Sequence, residues 1–423
     1  MLINDNFTKL PEFYLFSTVA SRIREYKESN PEADIIRMDI GDVTLPVPQE
    51  ALKAMHMAID ELGTSDAFHG YGPEQGYPFL REAVARGDYA HYGINISPDD
   101  IFISDGAKSD LGNIGDIYDS ESIIAVSNPG YPVYVDANVI DGRGGELTDG
   151  KWSNFVYLDC TEENGFKPTP PAERADVIFL CSPANPTGVA FTRSELEAWV
   201  NYALMYQAVI IYDSAYCAYV TENDIPRSVY EIPGAEKVAI EVRSYSKTAG
   251  FTGLRCGYTV VPSSVYGFDR GGNKIQMRKL WLRRQTTKFN GAGYIVQRGA
   301  EALYSAEGQR QVQSNVDYYL ENARIIREAL QNAGYIVYGG INSPYVWVKS
   351  KSDAGSWEFF TRLLQEAHIS CTPGVGFGSL GEGFVRFTGF NTRQKTIEAM
   401  ERIRKMKQTI STEVQAGNRV TEN

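Results

Sequence analysis

The sequence predicts an α/β protein: a large domain with a mainly parallel sheet between helices, plus a smaller α+β domain. Three observations carry this. Short runs rich in valine and isoleucine, at 101–104, 123–127, 177–181, 208–213 and 238–242, alternate with helix-compatible segments, the pattern of parallel strands buried on both faces. These runs end in turns of glycine, proline or small polar residues, and loops at the carboxyl ends of parallel strands form ligand sites. Past residue 261 long helices with scattered strands take over, as expected of a second unit in a chain of 423 residues, more than one core usually serves.

In chain order, residues 1–44 form an N-terminal arm that completes the smaller domain. They open with Phe7, Phe13, Tyr14 and Phe16, continue as a helix over 17–28, and reach Ile35-Ile36-Arg37-Met38-Asp39-Ile40-Gly41-Asp42, a short strand closing on a glycine turn. Tyr14 and Gly41 either pack the arm on the body or touch a ligand. Residues 45–295 form the large domain. It begins with an amphipathic helix over 48–62 and the loop His69-Gly70-Tyr71-Gly72-Pro73-Glu74-Gln75-Gly76, whose glycines allow close approach of a ligand or another chain. Strand 101–104 turns through Asp105-Gly106-Ala107-Lys108-Ser109 into a helix, whose free N–H groups suit a phosphate. Strand 123–127 leads to Asn128-Pro129-Gly130-Tyr131-Pro132, a turn presenting an aromatic. Strand 177–181 leads to residues 182–188, and Thr192-x-x-Glu195 is a capping box. Strand 208–213 ends in Asp213, followed by Ser214-Ala215-Tyr216. A basic stretch carries Asn290. The smaller domain, 296–423, is expected as a helix over 309–332, strands at 335–338 and 345–348, a helix over 354–367, a strand at 384–388, a helix over 392–407 and a frayed polar tail from Ser411.

Composition narrows the function. A net charge of −12 argues against a bulk nucleic-acid or anionic-membrane surface. The longest apolar runs are far too short to span a bilayer, and residues 1–10 do not resemble a signal peptide. Five scattered cysteines without a CxxC point away from a disulfide framework or a metal site and fit a reducing cytoplasm. The four histidines show no metal-ligand spacing, and Gly374-Val-Gly-Phe-Gly378 lacks dinucleotide-binding spacing.

The chemistry centres on residues 243–257. Lys247 stands among Ser244, Ser246 and Thr248, with Arg255 eight residues on. A lysine at a strand's end is ordinarily solvated; here hydroxyls and an arginine add donors for a phosphate to an amine able to form a Schiff base. Pyridoxal phosphate needs both. It also needs an acid at its ring nitrogen, which Asp213 suits; donors for its phenolic oxygen, from Tyr216 and Asn185; and a flat partner, Tyr131. Ala107 and Lys108 at a helix start, with Ser244, Ser246 and Arg255, would hold the phosphate. Lys247 would also move the proton during catalysis, since desolvation near other cations lowers an amine's pKa.

Asn185-Pro186-Thr187-Gly188, Asp213-x-x-Tyr216 and Ser246-Lys247 followed by Arg255 appear in the order found in fold-type I enzymes. Over nearly its whole length the chain resembles this aspartate aminotransferase-like PLP-transferase family. The resemblance implies a homodimer with shared active sites, Tyr71 reaching the partner's cofactor phosphate, cis bonds before Pro183 and Pro186, and Arg386 clamping the substrate α-carboxylate; on its own, Arg386 reads as a strand-edge surface residue. Longer strings sharpen this: Gly41-Asp42-Val43-Thr44-Leu45-Pro46, Gly70-Tyr71-Gly72-Pro73-Glu74-Gln75-Gly76, Tyr131-Pro132-Val133-Tyr134-Val135-Asp136 and Arg284-Gln285-Thr286-Thr287-Lys288-Phe289-Asn290 resemble the LL-diaminopimelate aminotransferases. That likeness implies transamination of tetrahydrodipicolinate by glutamate, giving LL-2,6-diaminopimelate and 2-oxoglutarate. It implies a pocket of Tyr14, Gly41, Lys108, Tyr131, Asn185, Asn290 and the partner subunit's Glu74, with Asn290 also near the cofactor. One position departs: the family commonly has an aspartate where this chain has Asn128. Alternatives are another class I aminotransferase acting on aspartate, alanine or aromatic amino acids, a PLP β-lyase or synthase, and a non-enzymatic regulator on the same fold.

Overall fold

The computed structural model describes residues 1–10, 14–148, 150–351 and 354–418, with side chains as far as residue 406. Phe13 and residues 419–423 of the expected tail lie outside the described residues. The central element is a seven-stranded sheet in the order Ile101–Ser104, Gly257–Val260, Ala239–Ser244, Val209–Asp213, Val177–Cys181, Ile124–Asn128, Phe155–Asp159. All strands run the same way except Gly257–Val260, which is antiparallel to both neighbours.

Continuous apolar strands are explained by burial on both faces. Val177, Phe179, Val209 and Ile211 pack with Leu111, Tyr134 and Trp281. Their sequence neighbours Ile178, Leu180, Ile210 and Tyr212 pack on the opposite face with Leu196, Trp199 and Ala203. Burying each such side chain is worth roughly 1.5–3 kcal/mol, so neither face can be left to solvent. The helix Arg193–Tyr206 starts as its sequence indicates, with Thr192 and Glu195 forming a reciprocal capping box.

A second, four-stranded antiparallel sheet runs Val337–Gly339, Tyr345–Lys349, Phe384–Thr388, Thr372–Pro373. The amino-terminal segment joins this part: Ile36–Arg37 pairs in parallel with Ile369–Ser370, and Val19, Ile23, Ile36 and Met38 share a core with Leu330, Phe359, Val385 and Ile403. The 27-residue helix Ala306–Asn332 connects the two regions. The turn at Gly188 (φ +70°) meets the second sheet so closely that a Cβ there would lie 2.3 Å from the Tyr345 carbonyl oxygen, so a side chain would separate the two sheets.

Several elements differ from expectation. The edge strand Phe155–Asp159 and the helices Met277–Lys288 and Tyr294–Ala302 were not anticipated. Met277–Lys288 buries only Met277, Trp281 and Gln285, a stripe one residue wide that gives a polar sequence no clear period. The last helix does not stop near 407 but runs Arg393–Asn418, through Ser411. The peptide bonds before Pro183 and Pro186 are cis, as the resemblance implied, and so is that before Pro129. No helix among the described residues is long and apolar enough to cross a membrane.

Candidate active site

A cavity of about 610 Å³ opens at the carboxyl ends of the parallel strands, between the two sheets. Each strand end delivers part of it. Lys247 lies on the short helix Tyr245–Ala249, which follows Ala239–Ser244 directly and is capped by the Ser244 hydroxyl accepting from Ser246 N at 3.1 Å. Its ammonium donates to the Gly41 carbonyl oxygen and sits 5.5 Å from the centre of the Phe390 ring. Burial lowers the Lys247 pKa to about 8; Asp42 opposes the shift, and Arg386 and Arg255 add to it.

Asp213 ends its strand buried. Its carboxylate accepts from the Tyr134 hydroxyl at 2.6 Å and from Ala215 N at 3.1 Å. Burial raises its pKa, and those two hydrogen bonds oppose the rise. Tyr216 also lines the cavity and shares a 2.8 Å hydroxyl–hydroxyl hydrogen bond with Tyr345.

Ala107 and Lys108 open the helix Ala107–Asn113. Gly106 (φ +122°) lets that start approach Arg255, since a Cβ on Gly106 would lie 2.5 Å from the guanidinium. Arg255 in turn donates to the Ser246 hydroxyl at 3.3 Å. Backbone N–H groups, two hydroxyls and cations thus converge on one end of the cavity. Lys108 also lies 4.8 Å from the centre of the Tyr14 ring. The Tyr14 hydroxyl is buried beside Tyr131 without a hydrogen bond of ordinary geometry among the described residues, and burial raises its pKa to about 12.

Arg386 is not the strand-edge residue its local sequence suggested. Its strand is internal, and only 1% of the residue is exposed. The guanidinium donates to Asn185 Oδ1 at 2.6 Å and the Asp39 carbonyl oxygen at 3.1 Å, and lies 4.3 Å from the centre of the Tyr345 ring. Its Nε is buried and has no hydrogen-bond partner among the described residues. A buried cation lining a cavity suits a carboxylate.

Gly41, Ala107, Lys108, Tyr131, Asn185, Asp213, Tyr216, Ser244, Ser246, Lys247, Arg255 and Arg386 therefore share one cavity, and Tyr14 adjoins it. Tyr71, Glu74 and Asn290 do not line it. They belong to neighbouring surface loops: Tyr71 is 94% exposed, and a Cβ on Gly291 would lie 3.5 Å from the Glu74 Cα. Asn128 does not face the cavity. Its amide donates to the Ser379 hydroxyl at 3.1 Å and accepts from Leu380 N at 3.2 Å, so no charge is missing from the site itself. Tyr134, Tyr345, Arg37 and Asp39 were not singled out from the sequence. Tyr134 alone carried a usable signal, lying one helical turn beyond Tyr131.

The donor set passes a chemical test for pyridoxal phosphate: a half-buried amine with a lowered pKa, a buried carboxyl group beyond it, an anion cradle that a Cβ on Gly106 would fill, and a buried arginine lining the same cavity.

Comparison with known proteins places these residues in context. The family model "Aminotransferase class I and II" matches residues 33–403. The LL-diaminopimelate aminotransferase of Parabacteroides distasonis is 55% identical over 404 residues, covering 96% of this chain and 99% of the relative. The solved structure of L,L-diaminopimelate aminotransferase from Chlamydomonas reinhardtii matches with a TM-score of 0.90 at 42% identity, over 96% of this chain and 98% of that one. A Thermus thermophilus aspartate aminotransferase mutant matches with a TM-score of 0.82 at 20% identity, over 96% and 99% of the two chains, a likeness of fold.

Proposed function

The chain belongs to the class I and II aminotransferases, and from this membership we propose that it transfers the amino group of glutamate to tetrahydrodipicolinate, giving LL-2,6-diaminopimelate and 2-oxoglutarate. The observation that carries the substrate assignment is the 55% identity, over nearly the full length of both chains, to a protein named for that activity. Enzymes of this family depend on pyridoxal phosphate, which when bound supplies an electron sink for negative charge developing at the substrate Cα.

Asp213 would hold the cofactor's ring nitrogen, Tyr216 and Asn185 its phenolic oxygen, and Tyr131 its ring face. Ala107, Lys108, Ser244, Ser246 and Arg255 would hold the phosphate, with Tyr71 supplied by the partner and Asn290 beside it. Lys247 would hold the cofactor through its amine and would move the proton at the substrate Cα; a pKa lowered to about 8 leaves its free amine a competent base near neutral pH. Arg386 binds the α-carboxylate, its planar fork matching that group better than an ammonium would. Tyr14, Gly41, Lys108, Tyr131, Asn185, Asn290 and the partner subunit's Glu74 receive the distal amino-acid head, with Glu74 meeting the ammonium. We read residues 45–295 as the large cofactor-binding domain, completed by a smaller domain of 1–44 with 296–423. The enzyme works as a cytoplasmic homodimer.

The test is a half-reaction. Adding LL-diaminopimelate without an acceptor should move the visible absorption of the bound cofactor to shorter wavelength, and 2-oxoglutarate should restore it. Glutamate should act like LL-diaminopimelate; aspartate and phenylalanine should not. A response confined to other amino acids would overturn the substrate assignment. Glu74→Ala should weaken LL-diaminopimelate at least tenfold more than glutamate, and equal losses would remove Glu74 from the distal ammonium.

A further inference from the structure

A second cavity, of about 250 Å³, lies behind the helix that carries Lys247. Ser244 lines both cavities, and Tyr245 and Thr248 line this one, so the short helix Tyr245–Ala249 is their common wall. The long helix Ala306–Asn332 contributes Gln309 and Val316 to it. The space exceeds the roughly 150 Å³ of an apolar cavity known to accept benzene.

Its charges are of both signs and are not spent on each other. Arg243 is buried. Its Nε pairs with Glu241 at 2.6 Å and its Nη2 donates to the Arg227 carbonyl oxygen at 2.9 Å, leaving Nη1 without a hydrogen bond among the described residues. The Arg227 guanidinium lies 5.7 Å from the centre of the Tyr92 ring and makes no hydrogen bond or ion pair among the described residues. Asp88 accepts the Tyr258 and Tyr304 hydroxyls, at 2.6 and 2.5 Å, on Oδ2, and Oδ1 has no hydrogen bond among the described residues. Neither arginine forms an ion pair with Asp88 among the described residues. Glu241 offsets Arg243, so the cavity presents one further cation, Arg227, and one anion, Asp88.

We propose that this cavity is a second binding site, for a small amino-acid zwitterion, with the carboxylate on Arg227 and Arg243 Nη1 and the ammonium on Asp88 Oδ1. Open donors and an open acceptor in a tyrosine-lined space reward such a ligand, and a simple anion would leave Asp88 unmatched. Because the ligand rests against Tyr245 and Thr248, its binding bears on the helix that positions Lys247, and occupancy changes turnover. This goes beyond the transamination proposed above and does not depend on which substrate pair is correct.

Isothermal titration calorimetry of the cofactor-loaded enzyme with a panel of L-amino acids that it does not transaminate tests the site. One or more should bind saturably, at least tenfold tighter than the corresponding carboxylic acid without the amino group. Binding should weaken at least tenfold in Arg227→Gln, whose guanidinium makes no hydrogen bond or ion pair among the described residues and only rests over the Tyr92 ring, and recover partly in Arg227→Lys. The bound amino acid should change the turnover of the wild type and not that of Arg227→Gln. No saturable binding, equal binding of the deamino acid, binding indifferent to Arg227→Gln, or binding without effect on turnover would each overturn the proposal.

Discussion

The role proposed for Lys247 asks its amine to lose a proton near neutral pH, and burial together with Arg386 and Arg255 lowers its pKa to about 8 against the pull of Asp42. Lys247→Ala should remove both the visible band of bound cofactor and turnover, the latter on the order of 10³-fold or more. A second effect appears without the cofactor. Because the folded-state pKa of about 8 lies below the usual 10.5, the unfolded chain holds more protons between those values, and the lysine's cost to stability is fully present below about pH 8. Lys247→Met should therefore stabilise the cofactor-free protein by on the order of 1–3 kcal/mol at pH 7. Thermal unfolding should show that gain shrinking as pH rises toward 10.5. Arg386 offers a cleaner test of geometry. Arg386→Lys keeps the charge but loses the fork and its bond to Asn185, so KM for glutamate and LL-diaminopimelate should each rise on the order of 10–100-fold; an unchanged KM would remove Arg386 from carboxylate binding. Most of these residues were legible in the sequence because each sits just past a strand, and a parallel sheet brings such positions together. Tyr345 was not, since nothing in a Tyr-Val-Trp-Val strand says that its hydroxyl will meet that of Tyr216 across more than a hundred residues of chain.

At the scale of elements, the turns after the strands serve as joints. Residues 128–130 clasp the loop at 377–380: Gly130 N donates to the Phe377 carbonyl oxygen at 2.8 Å, and the Asn128 amide bonds Ser379 and Leu380. This explains why an asparagine is acceptable where an aspartate is common in the resembling family. Both partners, a hydroxyl and a backbone N–H, can donate, so a carboxylate would satisfy them too. Asn128→Asp should leave turnover within about twofold of wild type. Asn128→Ala should lower the unfolding free energy by about 1–3 kcal/mol, since the clasped N–H and hydroxyl lose their buried partner. Denaturant unfolding with matched kinetics checks both, and a large loss in the aspartate variant would mean that the turn carries a requirement for neutrality. The parallel core strands were legible in outline because double burial leaves no polar alternation to confuse the reading. The edge strand Phe155–Asp159 and the helix Met277–Lys288 escaped because each buries only part of its surface, and half-exposed elements carry weaker periodic signals.

At the scale of the whole molecule, one chain assembles a cofactor cradle but leaves Tyr71, Glu74 and Asn290 on surface loops away from it. Sequence alone could not place them: a glycine-rich loop reads the same whether it approaches its own ligand or another chain's. In a two-fold dimer the same patch occurs on both subunits, so loops exposed on one can close the cavity of the other. Phe68 and Tyr71 of this loop region are exposed, as expected of a face that another subunit covers. The arrangement makes a prediction that no single-chain reading shares. In the proposed homodimer with shared sites, Glu74→Ala spoils the site to which its loop is lent, while Lys247→Ala spoils the site of its own chain. Mixing the two variants under conditions that let subunits exchange puts about half of the protein into mixed dimers, each with one intact site of two, so LL-diaminopimelate turnover should recover to about a quarter of the wild-type value. If both residues served one chain's site, every site in the mixture would carry one lesion or the other, and activity would stay at the average of the two parents. Subunit exchange followed by size-exclusion chromatography and a steady-state assay separates these outcomes: a dimer peak with no gain in activity would confine Glu74 to its own subunit or to no site at all.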